Sequence, residues 1–183
     1  SFAALSKREQ FVNIKLGYSD TSRINKTVLK SLNLKSMFEL RDRYEGEAFL
    51  NKFSIKIKGV IAVEKHLKIK LIDWDNLNPK TFSADLNLVN LDIEVITSEN
   101  GKFPSIDRKS IRPAIIANLI GEDNIWICGY ANVDVLNNNQ AKSDNELWVK
   151  GTAGPDAAVL LRSLGERLTD GEVNNSNGEH VEL

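Results

Sequence analysis

The chain has 183 residues, of which 42% are hydrophobic and 27% charged, and its formal net charge is −1. These values are ordinary for a soluble globular protein, and the length suits a single domain with its own hydrophobic core. No hydrophobic run approaches the roughly 18 residues that a membrane-spanning helix needs. The N-terminus lacks the basic-then-apolar pattern of a secretion signal, so secretion is not expected.

The N-terminal quarter contains a predicted edge strand and a predicted helix. Phe11–Leu16 alternates weakly between apolar and polar residues and is followed by Gly17, which suits a short strand at a sheet edge. Ser36 followed three residues later by Glu39 is a capping-box pattern. We therefore expect a helix over about 36–45 that stops at Gly46.

The most regular pattern lies in two neighbouring segments, Phe53–Val63 and Leu67–Asp73. Both alternate strictly between apolar residues and lysines, which is typical of strands that are buried on one face. Three residues separate the segments, a suitable length for a hairpin connection. The pattern predicts an antiparallel pair with an apolar inner face and a lysine-lined outer face.

The remaining segments also favour strands. Asp85–Thr97 changes phase near Val89, which indicates either a β-bulge or two short strands. Ala114–Ile120 fits a strand or a helix equally well, and Asn124–Leu136 reads as one strand with Ile125, Ile127, Gly129 and Ala131 on a common face. A helix is predicted over about 155–169, followed by a disordered acidic tail over 172–183.

Together these segments predict a mainly β fold. We expect one domain over 1–171, an antiparallel sandwich or jelly-roll-like arrangement of strands over about 53–136, with one helix on each side of it in sequence.

The predicted outer sheet face carries Lys56, Lys58, Lys68 and Lys70. The charge is uneven along the chain: from Ile120 onwards 4 Lys and Arg stand against 11 Asp and Glu, so the preceding part is basic. Such a surface favours a polyanion, either single-stranded nucleic acid or an anionic membrane surface. The alternative is that these lysines are only solvated and deter edge-to-edge pairing.

Catalytic and cofactor motifs are weak. No glycine-rich phosphate-binding motif is present, so no cofactor is predicted, and two histidines with one cysteine give no structural zinc or other metal site. Cys128 lies in an apolar strand and His66 in a predicted turn, neither suited to nucleophilic catalysis. Asp73 and Asp75 could serve a small metal-dependent hydrolase, although the favoured role of Asp73 is to fix the turn that follows it.

The order of these features resembles the thirty-kilodalton superfamily of plant viral movement proteins over about residues 53–139. The residues that carry the resemblance are Lys58–Ile61, Leu71–Asp73, Leu91–Thr97 and Val133–Asn138. The resemblance implies a jelly-roll-like β domain in which Gly59 follows an early strand and Asp73 ends the next.

The function expected from the sequence is therefore a non-catalytic viral protein that binds nucleic acid without sequence specificity. The alternative is a self-assembling matrix or capsid subunit, a homo-oligomer with Trp126, Tyr130 and Trp148 as contact residues. A hydrolase that uses Asp73 and Asp75 is the third possibility. A single cysteine fits a reducing compartment, so the cytoplasm of a host cell is the expected location.

Overall fold

A computed structural model describes residues 11–88, 91–99, 102, 105–106, 112–138, 140–141 and 147–149. The helices within these ranges are α1 (Tyr18–Ser31), α2 (Met37–Asp42), α3 (Gly46–Leu67) and α4 (Val133–Asn138). The strands are β1 (Val12–Lys15), β2 (Asp85–Leu88), β3 (Leu91–Glu99), β4 (Ser105–Ile106), β5 (Ala114–Ile120), β6 (Asn124–Ala131), β7 (Gln140–Ala141) and β8 (Leu147–Val149).

The main sheet is mixed and has five strands in the order β1-β6-β5-β3-β2. Only the pair of β3 and β5 is parallel; the other neighbours are antiparallel. The strands β4, β8 and β7 form a small separate antiparallel sheet. The fold is therefore mixed α/β, with α1, α2 and α3 packed on an open sheet, and the predicted antiparallel sandwich or jelly roll is wrong.

The largest error concerns α3, a helix of 22 residues that covers most of the predicted hairpin. Its buried apolar side chains include Phe53, Ile57, Val60 and Leu67, a spacing of three, four and seven residues that places them on one face of a helix. The same segment also alternates between apolar and polar residues, so its sequence fits both the helical period of 3.6 residues and the strand period of two. The supposed turn, residues 64–66, has none of the glycine, asparagine or aspartate residues that tight hairpins require.

The jelly-roll that the family resemblance implied is absent for the same reason. Gly59 lies in the interior of α3 rather than after a strand, and the residues from Lys68 to Asp73 form no strand. Gly46 is not a helix stop either: α2 ends at Asp42, and Gly46 is the first residue of α3.

Several local predictions are confirmed. β1 is an edge strand of the sheet, and the Ser36 hydroxyl accepts a hydrogen bond of 3.3 Å from the backbone N–H of Glu39 at the start of α2. Of the two alternatives for Asp85–Thr97, the two-strand one is correct, with β2 and β3 paired antiparallel. The predicted C-terminal helix over 155–169 and the tail over 172–183 lie outside the described residues.

A β-bulge divides the predicted strand Asn124–Leu136. Ile116 pairs with Gly129 but Ala117 pairs with Ile127, so Cys128 is an extra residue on β6, and Gly129 has a φ of 146°. The bulge reverses the alternation of side chains. Ile127 therefore packs with α3, whereas Ala131 packs on the opposite face of the sheet. The predicted common face ends at Ile127, and the strand itself ends at Ala131, before α4.

The helix α3 and the sheet are in tight contact at Gly59. A Cβ atom on this residue would lie 1.9 Å from Oγ1 of Thr97 and 3.2 Å from Cγ1 of Val95, both on β3. Only a residue without a side chain lets the α3 backbone come so near to the strand. This contact sets the distance between the α3 backbone and the sheet.

We predict that Gly59→Ala destabilises the protein by about 1–3 kcal/mol through overpacking, although alanine is favoured over glycine by about 1 kcal/mol in a helix. Asn51→Ala, at an exposed position of the same helix, should leave stability equal or slightly raised. Urea denaturation measures both. The double variant Gly59→Ala/Thr97→Ala removes the opposing hydroxyl and should recover part of the lost stability. A Gly59→Ala variant as stable as the wild type would contradict this packing.

Candidate polyanion-binding groove

One groove combines exposed lysines with aromatic side chains. Each of Phe49, Lys52, Phe53 and Lys56 is three residues from one of the others and four from another, so they form a stripe along the N-terminal half of α3. A segment of the loop that follows α3 lies beside this stripe. We call this cavity of about 300 Å³ the basic groove; its lining residues are Phe49, Lys52, Phe53, Lys56, Pro79, Lys80 and Phe82.

The floor of the basic groove is rigidly packed. Phe53 is 3% exposed and meets Phe82 edge to face, with ring centroids 5.4 Å apart and an interplanar angle of 83°. Pro79 is buried, whereas Phe49 and Phe82 are only half-buried and keep ring surface accessible. The helix and the loop are therefore joined through aromatic contacts that leave a partly open apolar surface.

Asn78 holds the loop segment in place. Its side-chain Oδ1 accepts a hydrogen bond of 3.0 Å from the backbone N–H of Lys80, and its carbonyl accepts one of 3.2 Å from the N–H of Thr81. Asparagine stabilises turns in this way because its side chain replaces a backbone acceptor. The turn positions Lys80 across the groove from α3.

The basic groove has three positive charges and no negative one among its lining residues. Lys52, Lys56 and Lys80 are all exposed, and no acidic residue lines the groove. Within the described ranges none of these three ammonium groups forms a salt bridge or side-chain hydrogen bond. A concave surface with uncompensated charge of one sign attracts an oppositely charged ligand.

Only one of the four predicted lysines belongs to this groove. Lys56 lines it, whereas Lys58 is 9% exposed and its Nζ donates a hydrogen bond of 2.5 Å to the carbonyl of Glu122. Lys68 caps the C-terminal end of α3 with a φ of 56°, about 18 Å along the helix from Lys56 at 1.5 Å per residue, and Lys70 lies beyond the helix. The predicted lysine-lined sheet face does not exist. Sequence reasoning missed Lys52 and Lys80; reading residues 49–56 with a helical period would have found Lys52.

A second cleft, of about 310 Å³, is lined by carboxylates that already have partners. Asp73 accepts hydrogen bonds from the backbone N–H of Asp75 at 3.2 Å and from Nδ2 of Asn76 at 2.7 Å. Asp85 accepts one from Arg112 at 2.6 Å and another from the hydroxyl of Ser83. The hydrogen bond from Asn76 is the main cause that lowers the pKa of Asp73.

The geometry around Asp73 is that of a turn. Asp75 contributes its backbone N–H to this turn, and the cleft is lined by Asp73 and Asp85 but not by Asp75. No group of three or more histidine, cysteine, aspartate or glutamate residues that could hold a metal ion is found in the described part of the chain.

Two of the three predicted self-association residues can be placed with their side chains. Trp126 and Tyr130 are half-buried, and Tyr130 packs against the core beneath α3. Trp148 lies in β8, and its side chain is outside what the structure describes. His66 lies near the end of α3 rather than in a hairpin turn.

No protein-family model matches the chain, and searches of curated proteins and of solved structures found no match either. Among the described residues, no helix has the length and apolar character needed to cross a membrane.

Cys128 is partly buried, and desolvation of its thiol raises the pKa from 9.0 to about 12. At pH 8 the thiolate fraction should therefore be about a thousandfold lower than in the unfolded chain, since each pKa unit is a factor of ten. We predict that iodoacetamide modifies Cys128 at least a hundredfold more slowly in the native protein than in urea. Mass spectrometry of timed aliquots measures the rate, and native modification within tenfold of the urea rate would contradict this burial.

Proposed function

We propose that this protein binds single-stranded nucleic acid without sequence specificity in the basic groove. The observation that carries the proposal is the combination of three lysines without described ion partners, Lys52, Lys56 and Lys80, with the accessible rings of Phe49 and Phe82. Single-strand binding sites use these two elements together: cations for the phosphates and aromatic rings on which bases stack.

The spacing of the charges suits a flexible chain of phosphates. Lys52 and Lys56 lie one helical turn apart, where Cβ atoms are about 5–6 Å from each other. Lys80 approaches from the loop on the other side of the groove. A single strand can bend its backbone to meet charges on two sides, whereas a rigid duplex offers no unstacked base to the rings.

The lining residues also favour binding that ignores sequence. Lysine can contact guanine, but the basic groove has none of the arginine, asparagine, glutamine or acidic side chains that also read base edges. Phenylalanine rings stack with any base. We therefore expect similar affinity for strands of different composition.

The same partner was expected from the sequence, but on a different surface. An anionic membrane would be the other polyanion to consider, and the concave shape of the groove favours a strand over a flat surface. The viral origin, the cytoplasmic location, self-assembly and the Asp73/Asp75 hydrolase stay predictions from the sequence, and no described contact favours them.

We predict that the triple variant Lys52→Glu/Lys56→Glu/Lys80→Glu binds fluorescein-labelled oligouridine at least about tenfold more weakly at low salt, since it replaces attraction to phosphates with repulsion. For the wild type, three phosphate contacts to a single strand predict a slope of about −2 in a plot of log affinity against log salt. Fluorescence anisotropy measures both quantities. Oligothymidine and oligoadenosine should give similar wild-type affinities.

The matched control is Lys68→Glu/Lys70→Glu, which changes exposed lysines outside the groove and should retain most of the affinity. Phe49→Leu, which keeps an apolar side chain but removes the ring, should weaken binding by removing a stacking surface. Equal losses in the groove and control variants would show a general charge effect and contradict the proposal. Binding to anionic vesicles but not to oligonucleotides would also contradict it.

A further inference from the structure

One edge of β3 is only half covered by its neighbour. β2 pairs with β3 from Leu91 to Glu94, and the last contact on this side is a hydrogen bond of 2.8 Å from the N–H of Val95 to the carbonyl of Ala84. Ser83 and the residues before it belong to the loop that precedes β2 and form no strand. The other edge of β3 remains paired with β5 up to Glu99. Residues 96–99 therefore have no strand partner on the β2 side among the described residues.

The direction of the backbone N–H and C=O groups on this open edge can be derived from the hydrogen bonds that β3 makes to its two neighbours. The N–H of Glu94 donates to Pro113 on the β5 side, whereas that of Val95 donates to Ala84 on the β2 side. Alternate residues of a strand direct their N–H and C=O groups to the same edge. Thr97 and Glu99 therefore direct their N–H groups towards the open edge, in line with the groups that β2 pairs.

A cleft of about 290 Å³ lies along the open edge. We call it the edge cleft; it runs between β3 and α3, and Ile55, Lys56, Ser83 and Lys102 line it beside the strand. Ile55 and Val95 supply apolar surface, and Oγ1 of Thr97 is buried without a hydrogen-bond partner. The edge cleft therefore lies between the uncovered part of β3 and the side of α3.

We infer that the edge cleft binds an extended peptide segment, which adds to the main sheet as a strand antiparallel to β3 and in line with β2. Only an extended polypeptide presents N–H and C=O groups at the spacing of the strand edge. The added segment is about four residues long, since that is the length of the uncovered part of β3. This activity is distinct from nucleic-acid binding in the basic groove, and the two cavities share Lys56.

The charge of the edge cleft specifies the side chain of the partner. Residues that face each other across an antiparallel pair lie on the same side of the sheet, so the peptide residue opposite Thr97 faces α3. Two carboxylates also line the cleft, but both are paired, Glu99 with Lys102 and Glu94 with Arg112 at 3.9 Å, whereas Lys56 has no described ion partner. The preferred peptide therefore carries an acidic side chain at that position.

The test uses the full chain and a labelled heptapeptide of alternating valine and threonine with one central aspartate. The comparison peptide has the same sequence but is N-methylated at alternate residues, which removes ladder donors without changing charge. Binding of the methylated peptide should be at least about tenfold weaker, because several backbone hydrogen bonds are lost. In the bound state the backbone amides of Thr97 and Glu99 should shift in nitrogen–proton NMR spectra and become protected from hydrogen exchange.

Two lysine variants separate this site from the basic groove. Lys56→Gln should weaken binding of the aspartate peptide but not of the same peptide with asparagine in place of the aspartate. Lys52→Gln should leave the affinity for both peptides unchanged, since Lys52 lines the basic groove and not the edge cleft. Equal affinity for the methylated and unmethylated peptides would overturn the inference. So would amide shifts that avoid residues 96–99, or no binding of the unmethylated peptide at millimolar concentration.

Discussion

The contact of α3 with β3 at Gly59 sets the geometry on which both candidate sites depend. The missing side chain lets the helix backbone rest on Thr97 and Val95, and the helix is then too close to the sheet to shift without a clash. Phe53 and Ile57 are buried on the same side of α3, and the more exposed Lys52 and Lys56 are left beside the loop that contains Phe82. The basic groove and the edge cleft are two openings along the margin of this one helix.

The lysines of α3 have different roles because they lie on different sides of it. Lys58 is almost fully buried and gains a hydrogen bond to the carbonyl of Glu122, so its charge is used within the fold. Lys65, near the end of the helix, pairs with Asp20 of α1 at 2.5 Å. Lys52 and Lys56 have no such described partner. Their charge is the basis of the proposed nucleic-acid binding, and its contribution to folding is small because both lysines are exposed.

The sequence predicted the elements whose signals are local. The capping pattern of Ser36 and Glu39 and the alternation around β1 require only neighbouring residues. α3 was predicted wrongly because residues 53–63 satisfy the strand period and the helix period at once. The burial of the apolar face of the helix on the sheet decides between the two. The bulge at Gly129 likewise depends on pairing with β5. The basic groove could not be predicted in full, since Lys80 and Phe82 meet α3 only through the packing of Phe82 on Phe53.

The central claim is that nucleic acid lies in the basic groove, and ultraviolet crosslinking tests it most directly. Oligouridine that contains 5-bromouridine would be irradiated with the wild-type protein at low salt, and the attached peptides identified by mass spectrometry. Because aromatic rings that stack on bases crosslink efficiently, the account predicts attachment at Phe49 or Phe82. Crosslinks confined to other segments, such as the region of Lys68 and Lys70, would contradict it.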